Sequence, residues 1–150
     1  MRVDFYHLQA SPVEMALPQL LARVLQAGHR AVVMAGSEDR VEALANHLWT
    51  YDPVTWLPHG TLKDGFAEDQ PIWLTDRDEN PNAARMLILT DGMTSSRLAD
   101  FDRCLDVFDG NSLHATAAAR ERWSLAKAAG HELHYWQQTD AGWKEQGASG

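Results

Sequence analysis

The chain alternates between uninterrupted apolar runs and stretches whose apolar residues recur at helical spacing. Residues 30–35 and 85–90 are almost wholly apolar, as is typical of strands that are buried on both faces of a parallel sheet. Residues 13–28 and 38–49 place leucine, valine and alanine three or four positions apart, which predicts helices with one buried side. This alternation predicts an α/β fold. Shorter strands are predicted at residues 3–8, 54–59, 71–74, 104–108 and 132–136.

Residues at the ends of the first helical stretch predict its limits. Ser11, Pro12 and Glu14 have the spacing of a capping box, with Ser11 as the N-cap and Pro12 in the first helical position. Gly28 is the residue type that most often closes a helix. Pro18 lies inside this stretch, where it costs a hydrogen bond or kinks the helix, and the sequence does not explain how it is tolerated.

The remaining helices have similar signals. Ser37 is predicted to cap the second helix. Asn111 or Ser112 is predicted to cap the last helix, and Gly130 to end it. We predict one α/β domain over residues 1–137, followed by a polar tail at residues 138–150 that is mobile in part.

Charge and cysteine content restrict the possible functions. The 150 residues carry a net charge of −8, and an acidic protein repels phosphate, so we expect little direct DNA binding. The single cysteine, Cys104, excludes an intrachain disulfide and is typical of a reducing compartment. The sequence contains no apolar run long enough for a membrane span and no secretory leader, so we expect a cytoplasmic protein.

The sequence contains no strong catalytic or cofactor motif. Gly36 and Ser37 lie between a strand and a helix, but the glycine patterns of phosphate-binding and dinucleotide-binding loops are absent. His131 and His134 fall on a predicted strand, where their odd spacing puts them on opposite faces, so we expect neither a metal nor a cofactor. One alternative stays open, a nucleotide-binding α/β enzyme with its site near Gly36, Asp91 or His59.

The last helix concentrates cations around an aromatic residue. On a helical wheel, Trp123 and Lys127 lie within about 60° of Arg120, so the three side chains share one outward stripe. Ser124 and Thr116 flank the same stripe at about 40° on either side.

Other residues of this helix fall outside the stripe. Arg122 lies on a different face, and Leu125, Ala118 and Ala129 are predicted to pack on the sheet. An arginine beside a tryptophan suits a peptide that ends in an aromatic residue and a free carboxylate. Such a stripe is also found on plain solvated helix faces, so the pattern alone is weak.

Five short segments, in this order and spacing, resemble one protein family. They are residues 5–8 (FYHL), 48–49 (LW), 56–59 (WLPH), 119–123 (ARERW) and 129–130 (AG). Together they resemble the chi subunit of the bacterial DNA polymerase III holoenzyme, an accessory part of the clamp-loader complex. The resemblance extends over nearly the whole chain.

This resemblance implies both a fold and a role. The fold is a three-layer α/β/α sandwich with a mostly parallel mixed sheet, similar to nucleotide-binding domains but without a phosphate loop. Members of the family are not enzymes, although they are part of a DNA polymerase complex. They bind the acidic C-terminal tail of single-stranded DNA-binding protein and, through another surface, the psi subunit.

Individual residues can be matched to the family pattern for tail binding. Arg120 matches the tail-binding arginine, and Trp123 matches an aromatic position that is usually tyrosine. Ser124 and Thr116 stand where studied members carry lysine, so fewer cations surround Arg120 here. Lys127 is expected to replace the missing positive charge in part.

A second segment matches the psi-binding region. Trp56 and Leu57, followed by Pro58, correspond to the hydrophobic segment that the family uses for psi. Trp56 is also compatible with a place in the core. A further alternative is an interaction module that uses exposed tryptophans to bind an unrelated partner.

Overall fold

The computed structural model describes residues 1–50 and 57–149. Strands and helices follow one another in the predicted rhythm. In chain order they are β1 (Arg2–Leu8), α1 (Val13–Gln26), β2 (Ala31–Met34), α2 (Glu38–Thr50), β3 (Ile72–Thr75), β4 (Met86–Leu89), β5 (Arg103–Asp109), α3 (Leu113–Ala128), β6 (Glu132–Thr139) and β7 (Gly142–Ser149). Two short 3-10 turns span Ala67–Asp69 and Leu98–Asp100.

The strands form one seven-stranded sheet in the order β3-β2-β4-β5-β1-β6-β7. The first six strands of this order run parallel, and β7 pairs antiparallel with β6 at the edge. The prediction of a mostly parallel mixed sheet is therefore confirmed.

Helices cover both faces of the sheet. α1 and α2 pack on one face, called the α1 face, over a core that includes Leu17, Leu44 and Val33. α3 packs on the opposite face, the α3 face, over a core that includes Phe5 and Leu87. This arrangement is the predicted three-layer sandwich.

Neighbouring residues on a strand serve different faces because strand side chains alternate. On β1, Phe5 contributes to the α3-face core and Tyr6 to the α1-face core. On β6, Tyr135 packs on the α3 side and Trp136 on the α1 side. β1 and β6 thus supply aromatic side chains to both layers.

The predicted capping box of α1 is wrong. Pro12 is the N-cap and makes no side-chain capping bond. Ser11 is instead held by Gln138 of β6, whose side-chain oxygen accepts the Ser11 N–H at 3.1 Å and whose amide donates to the Ser11 hydroxyl at 2.8 Å. A partner far away in sequence therefore outcompetes the local cap. Pro18 is buried, and α1 continues through it.

The other predicted helix ends are confirmed. The hydroxyl of Ser37 accepts the backbone N–H three residues later at 3.2 Å, and that of Ser112 does the same at 3.1 Å. Gly28 and Gly130 follow the first and last helices with φ of 81° and 84°, a conformation that glycine adopts without strain.

The sheet differs from the predicted one at two segments. Residues 54–56 of the predicted strand at 54–59 lie outside the described part of the chain, and residues 57–59 are not in a strand. The sequence did not predict β7, which continues the sheet beyond residue 137, and the boundary placed there stays a prediction. Among the described residues, none of the helices combines the length and apolarity needed to span a bilayer.

Candidate functional site

A groove of about 420 Å³ runs beside α3 on its β6 side. It is called the α3 groove below. Four of the five residues predicted from the helical wheel line it, together with two residues that were not predicted. Its lining consists of Thr116, Ala119, Arg120, Trp123, Ser124 and Tyr135.

The orientation of α3 differs from the predicted one. Leu125 is 66% exposed and Ala129 is exposed, so the prediction that they pack on the sheet is wrong. Ala118 is only half-buried. Ala119, Trp123 and Ala126 pack against the core of the α3 face, and Arg122 also points to the sheet, where it pairs with Asp106.

Trp123 is a wall of the groove and does not project freely into solvent. Its ring meets Phe5 at 5.3 Å between ring centroids, at an interplanar angle of 65°. It meets Tyr135 at 5.8 Å and 75°. These edge-on contacts fix the indole, and such aromatic pairs add to the stabilisation that burial provides. The groove therefore has a rigid aromatic side.

Arg120 supplies the charge of the groove. The side chain is exposed and forms no ion pair with any residue that the structure describes. Burial lowers the pKa of His7, and the positive charge of Arg120 lowers it further. Burial raises the pKa of Tyr135, and Arg120 opposes that rise. The guanidinium of Arg120 thus acts on both His7 and Tyr135.

His7 holds Tyr135 from below. Its Nδ1 lies 2.5 Å from the Tyr135 hydroxyl, and its ring packs against Phe108 at 5.2 Å. A Cβ atom at Gly110 would lie only 1.9 Å from the imidazole ring, so a glycine is needed there. Tyr135 was not among the predicted site residues, although its alternation with the apolar Leu133 on β6 indicates that both side chains face the same side of the sheet.

The remaining predicted residues differ in their availability. Ser124 is exposed at the groove. The hydroxyl of Thr116 donates to the Ser112 carbonyl at 2.8 Å, so it is already engaged by the helix. Lys127 is exposed one turn beyond Trp123 and does not line the groove.

Arg122 has a different environment, as the helical wheel predicted. Its Nε and Nη2 donate to the two carboxylate oxygens of Asp106, at 2.7 and 2.9 Å. The Asp106 side chain is only 5% exposed and that of Arg122 only 13%. Arg122 is therefore committed to a buried ion pair.

A second cleft, of about 380 Å³, lies at the carboxyl ends of β4 and β5 and is called the carboxyl-end cleft. Nucleotides bind at such edges in open α/β sheets. Here the Gly36 N–H donates to the Asp91 carboxylate at 3.0 Å. Arg40 donates to Asp91 twice, at 3.1 Å each, and to Glu14 at 2.6 Å. The Gly36 amide, which could otherwise donate to a phosphate, thus donates to the protein's own Asp91.

His59 and the segment before it belong to the core. His59 is 5% exposed, with Nδ1 2.7 Å from the Leu57 carbonyl oxygen and Nε2 3.1 Å from the Ala45 carbonyl oxygen. Leu57 is buried in the α1-face core, and Pro58 is half-buried. Trp56 lies outside the described residues. Nothing in this geometry gives His59 access to a substrate.

Comparison with known proteins identifies the family. The family model described as "DNA polymerase III chi subunit, HolC" matches residues 1–134. The chain belongs to the DNA polymerase III chi subunit family. The resemblance found in the sequence is confirmed, and chi is an accessory subunit of this polymerase.

A relative supports the same assignment. A protein of Rickettsia prowazekii (strain Madrid E), named "Probable DNA polymerase III subunit chi", is 26% identical to this chain over 105 residues. The alignment covers 70% of this chain and 64% of the relative, so the chain matches slightly less than two thirds of the relative's length. The family match includes the α3 residues of the groove and ends just before Tyr135.

Proposed function

We propose that this chi-family chain is a non-catalytic cytoplasmic adaptor of the polymerase III clamp loader. In this proposal it binds the acidic C-terminal tail of single-stranded DNA-binding protein in the α3 groove and so links the loader to coated template during replication. The observation that carries the proposal is an arginine without an ion-pair partner among the described residues, Arg120, beside an aromatic wall.

The chemistry of the groove fits a peptide terminus. The guanidinium of Arg120 can donate two hydrogen bonds to a terminal carboxylate. Trp123 and Tyr135 offer apolar area for a terminal aromatic ring at little cost in entropy. Ser124 adds a hydroxyl at the groove, and Lys127, exposed one turn beyond Trp123, is available to the acidic residues that precede the terminus.

The net charge of the protein opposes binding of an acidic tail, so the attraction has to come from the charge within the groove. The net charge of −8 repels an acidic peptide at a distance. That repulsion is screened beyond about 10 Å at 0.1 M salt, whereas a contact with Arg120 inside the groove is screened less. Binding is therefore expected to depend on Arg120 far more than on the average surface charge.

The test is a titration with a peptide that ends in an acidic run, proline and a C-terminal phenylalanine. Arg120→Ala is expected to weaken binding by about 1.5–3 kcal/mol, roughly 10- to 150-fold, the value of a hydrogen bond to a charged group. Arg77→Ala, at an exposed arginine outside the groove, is the matched control and should bind like the parent.

The peptide itself gives a second control. For a peptide with an amidated C-terminus, the parent and Arg120→Ala should differ little in affinity, because no carboxylate remains for the guanidinium. If Arg120→Ala binds the free-acid peptide as well as the parent does, the groove is not the tail site.

We also propose that psi docks at residues 56–58. Support comes from the resemblance of this segment to the family's hydrophobic psi-binding region. Of its described residues, Leu57 anchors the segment in the core and Pro58 is accessible. Pro58→Glu should therefore abolish co-purification with psi and leave tail-peptide affinity unchanged. Unchanged tail-peptide affinity shows that the variant is folded, and a folded variant that still co-purifies with psi would contradict docking at this segment.

A further inference from the structure

A cleft of about 470 Å³ lies on the α1 face, at the amino ends of the strands, and has no role in the proposed tail binding. It is called the aromatic cleft. Three rings line one side of it, those of Tyr6, Trp136 and Trp143. Arg23, His29, Asp102 and Arg103 also line it. Its volume is in the range of sites that bind small organic molecules.

The rings of the aromatic cleft are held in fixed positions. Tyr6 and Trp136 are nearly parallel, 12° apart, with centroids separated by 6.2 Å. Trp143 meets Tyr6 edge-on at 5.0 Å. The indole N–H of Trp136 donates to the buried carboxylate of Asp4 at 3.1 Å. Both tryptophans are half-buried, so part of each ring remains open to a ligand.

Arginines outnumber acidic residues around the cleft, because Asp102 is paired with Arg85 and leaves Arg23 and Arg103 uncompensated by it. Asp4 accepts hydrogen bonds from both Arg2 and Arg103, so two guanidinium groups share one carboxylate. The Nε of Arg103 is buried and has no hydrogen-bond partner among the described residues. Arg23 is exposed and forms no ion pair with any described residue. These charges outweigh the partial negative charge of the α1 C-terminus, which is about half an elementary charge.

A row of arginines, called the arginine row, continues from the cleft along the amino ends of neighbouring strands. Arg30, Arg85, Arg103 and Arg2 stand at the amino ends of β2, β4, β5 and β1, which are consecutive in the sheet. Arg30 donates to backbone carbonyls, and Arg85 pairs with Asp102 at 2.9 Å at an exposed position. Cations along a surface beside aromatic rings are the features that bind single-stranded nucleic acid.

We propose that the aromatic cleft binds one base of a single-stranded nucleic acid, with its phosphates on Arg23 and Arg103 and the next phosphates along the arginine row. Nucleotide-binding sheets usually hold phosphate at their carboxyl ends with helix amides. Here arginine side chains at the amino ends take that role. This proposal revises the expectation of little direct DNA binding, which came from the net charge alone.

The test is binding of a fluorescein-labelled oligo-dT of roughly ten nucleotides, a length within the usual site size, followed by anisotropy at low salt. Trp143→Ala should weaken binding at least about fivefold, the smallest loss expected when a base loses one aromatic stacking contact. Arg23→Glu should weaken it by at least as much at low salt, because it removes a phosphate contact and adds a repelling charge. With about three phosphates neutralised, the slope of log affinity against log salt should be about −2.

Matched variants keep the result specific. Arg77→Glu changes the charge equally at an exposed site away from the cleft, and Trp49→Ala removes an exposed tryptophan of α2, so both should bind like the parent. Arg23 lies on the exposed side of α1, so Arg23→Glu should fold normally. It therefore still tests the proposal if Trp143→Ala unfolds β7. Arg120→Ala should leave oligo-dT binding unchanged, which separates this proposal from the tail site.

Other outcomes are decisive as well. Equal affinity for dTMP would support the same base-and-phosphate chemistry and assign the cleft to free nucleotides. If oligo-dT does not bind at low salt, or binds Arg23→Glu as it binds the parent, the proposal is overturned. A tail peptide that displaces oligo-dT and is weakened by Arg23→Glu would make the cleft a peptide site instead.

Discussion

The α3 groove and the carboxyl-end cleft have similar volumes, about 420 and 380 Å³, and both contain arginine. They differ in what the arginines meet. In the carboxyl-end cleft, Arg40 pairs with Asp91 and Glu14, and Arg122 pairs with Asp106. In the α3 groove, Arg120 has no acidic partner within the described residues.

This difference separates structural charge from available charge. The carboxyl-end cleft stands where related sheets bind nucleotides, but Asp91 occupies its anion position and is held there with a φ of 54°. Such backbone strain persists only when the surroundings compensate for it, and here two bonds from Arg40 do so. The arginines that line the carboxyl-end cleft are therefore neutralised by the protein's own carboxylates, whereas Arg120 can still meet an anion.

The largest expected effect is on stability. Arg122→Ala leaves the carboxylate of Asp106 buried without its partner, and we expect the free energy of unfolding to fall by about 3–5 kcal/mol in a urea titration. Arg120→Ala, two residues away on the same helix, should change it by less than about 0.5 kcal/mol. Equal losses in the two variants would remove the distinction between the two sites.

A second variant should make the carboxyl-end cleft resemble an anion site. Asp91→Ala frees the Gly36 amide and two donors of Arg40, and we expect a loss of about 0.5–1.5 kcal/mol because water can reach these partly exposed groups. Inorganic phosphate should then raise the Tm of the variant more than that of the parent. Asp76→Ala, at an exposed aspartate, is the control. The same phosphate response in all three proteins would show that Asp91 does not block this position.

A smaller gain should follow from restoring charge to the rim of the α3 groove. Ser124→Lys adds a cation beside Arg120 and is expected to tighten tail-peptide binding by about 0.3–1 kcal/mol, roughly two- to fivefold, and less at high salt. Leu125→Lys adds the same charge to the exposed residue on the other flank of α3 and should have little effect. If both lysines help equally, the attraction is not specific to the groove.

The smallest effect concerns protons. Burial and then Arg120 lower the pKa of His7. A peptide carboxylate that neutralises Arg120 removes the second effect, so the pKa of His7 rises on binding and a fraction of a proton is taken up. Because the bound state holds more protons, binding should tighten as pH falls below about 6.5, by less than roughly 0.5 kcal/mol. Calorimetry in two buffers of different ionisation enthalpy measures the uptake, and His7→Gln should abolish it.

Local sequence signals predicted most of the fold. The buried strands β2 and β4 and the caps Ser37 and Ser112 depend on neighbouring residues, so periodicity and residue type were sufficient. The cap at Ser11 failed because Gln138, which binds it, is 127 residues away. The strand β7 was missed because its sequence is polar and its pairing with β6 makes it a strand.

The candidate site was predictable only in part. The helical wheel correctly placed Arg120, Trp123, Ser124 and Thr116 together, since their spacing alone determines that they are neighbours. It could not give the rotation of α3 on the sheet, so Leu125 was assigned to the wrong side. Whether an arginine is paired with an acidic residue depends on tertiary contacts, so the sequence could not predict it either.

The alternation of β6 has a consequence for how this protein can change over evolution. Tyr135 faces the α3 groove, and its neighbour Trp136 faces the aromatic cleft. Substitution at either position alters one cleft and spares the other. Insertion or deletion of a single residue earlier in β6 would exchange the two rings and damage both clefts at once. The length of this strand is therefore expected to be under stricter selection than its composition.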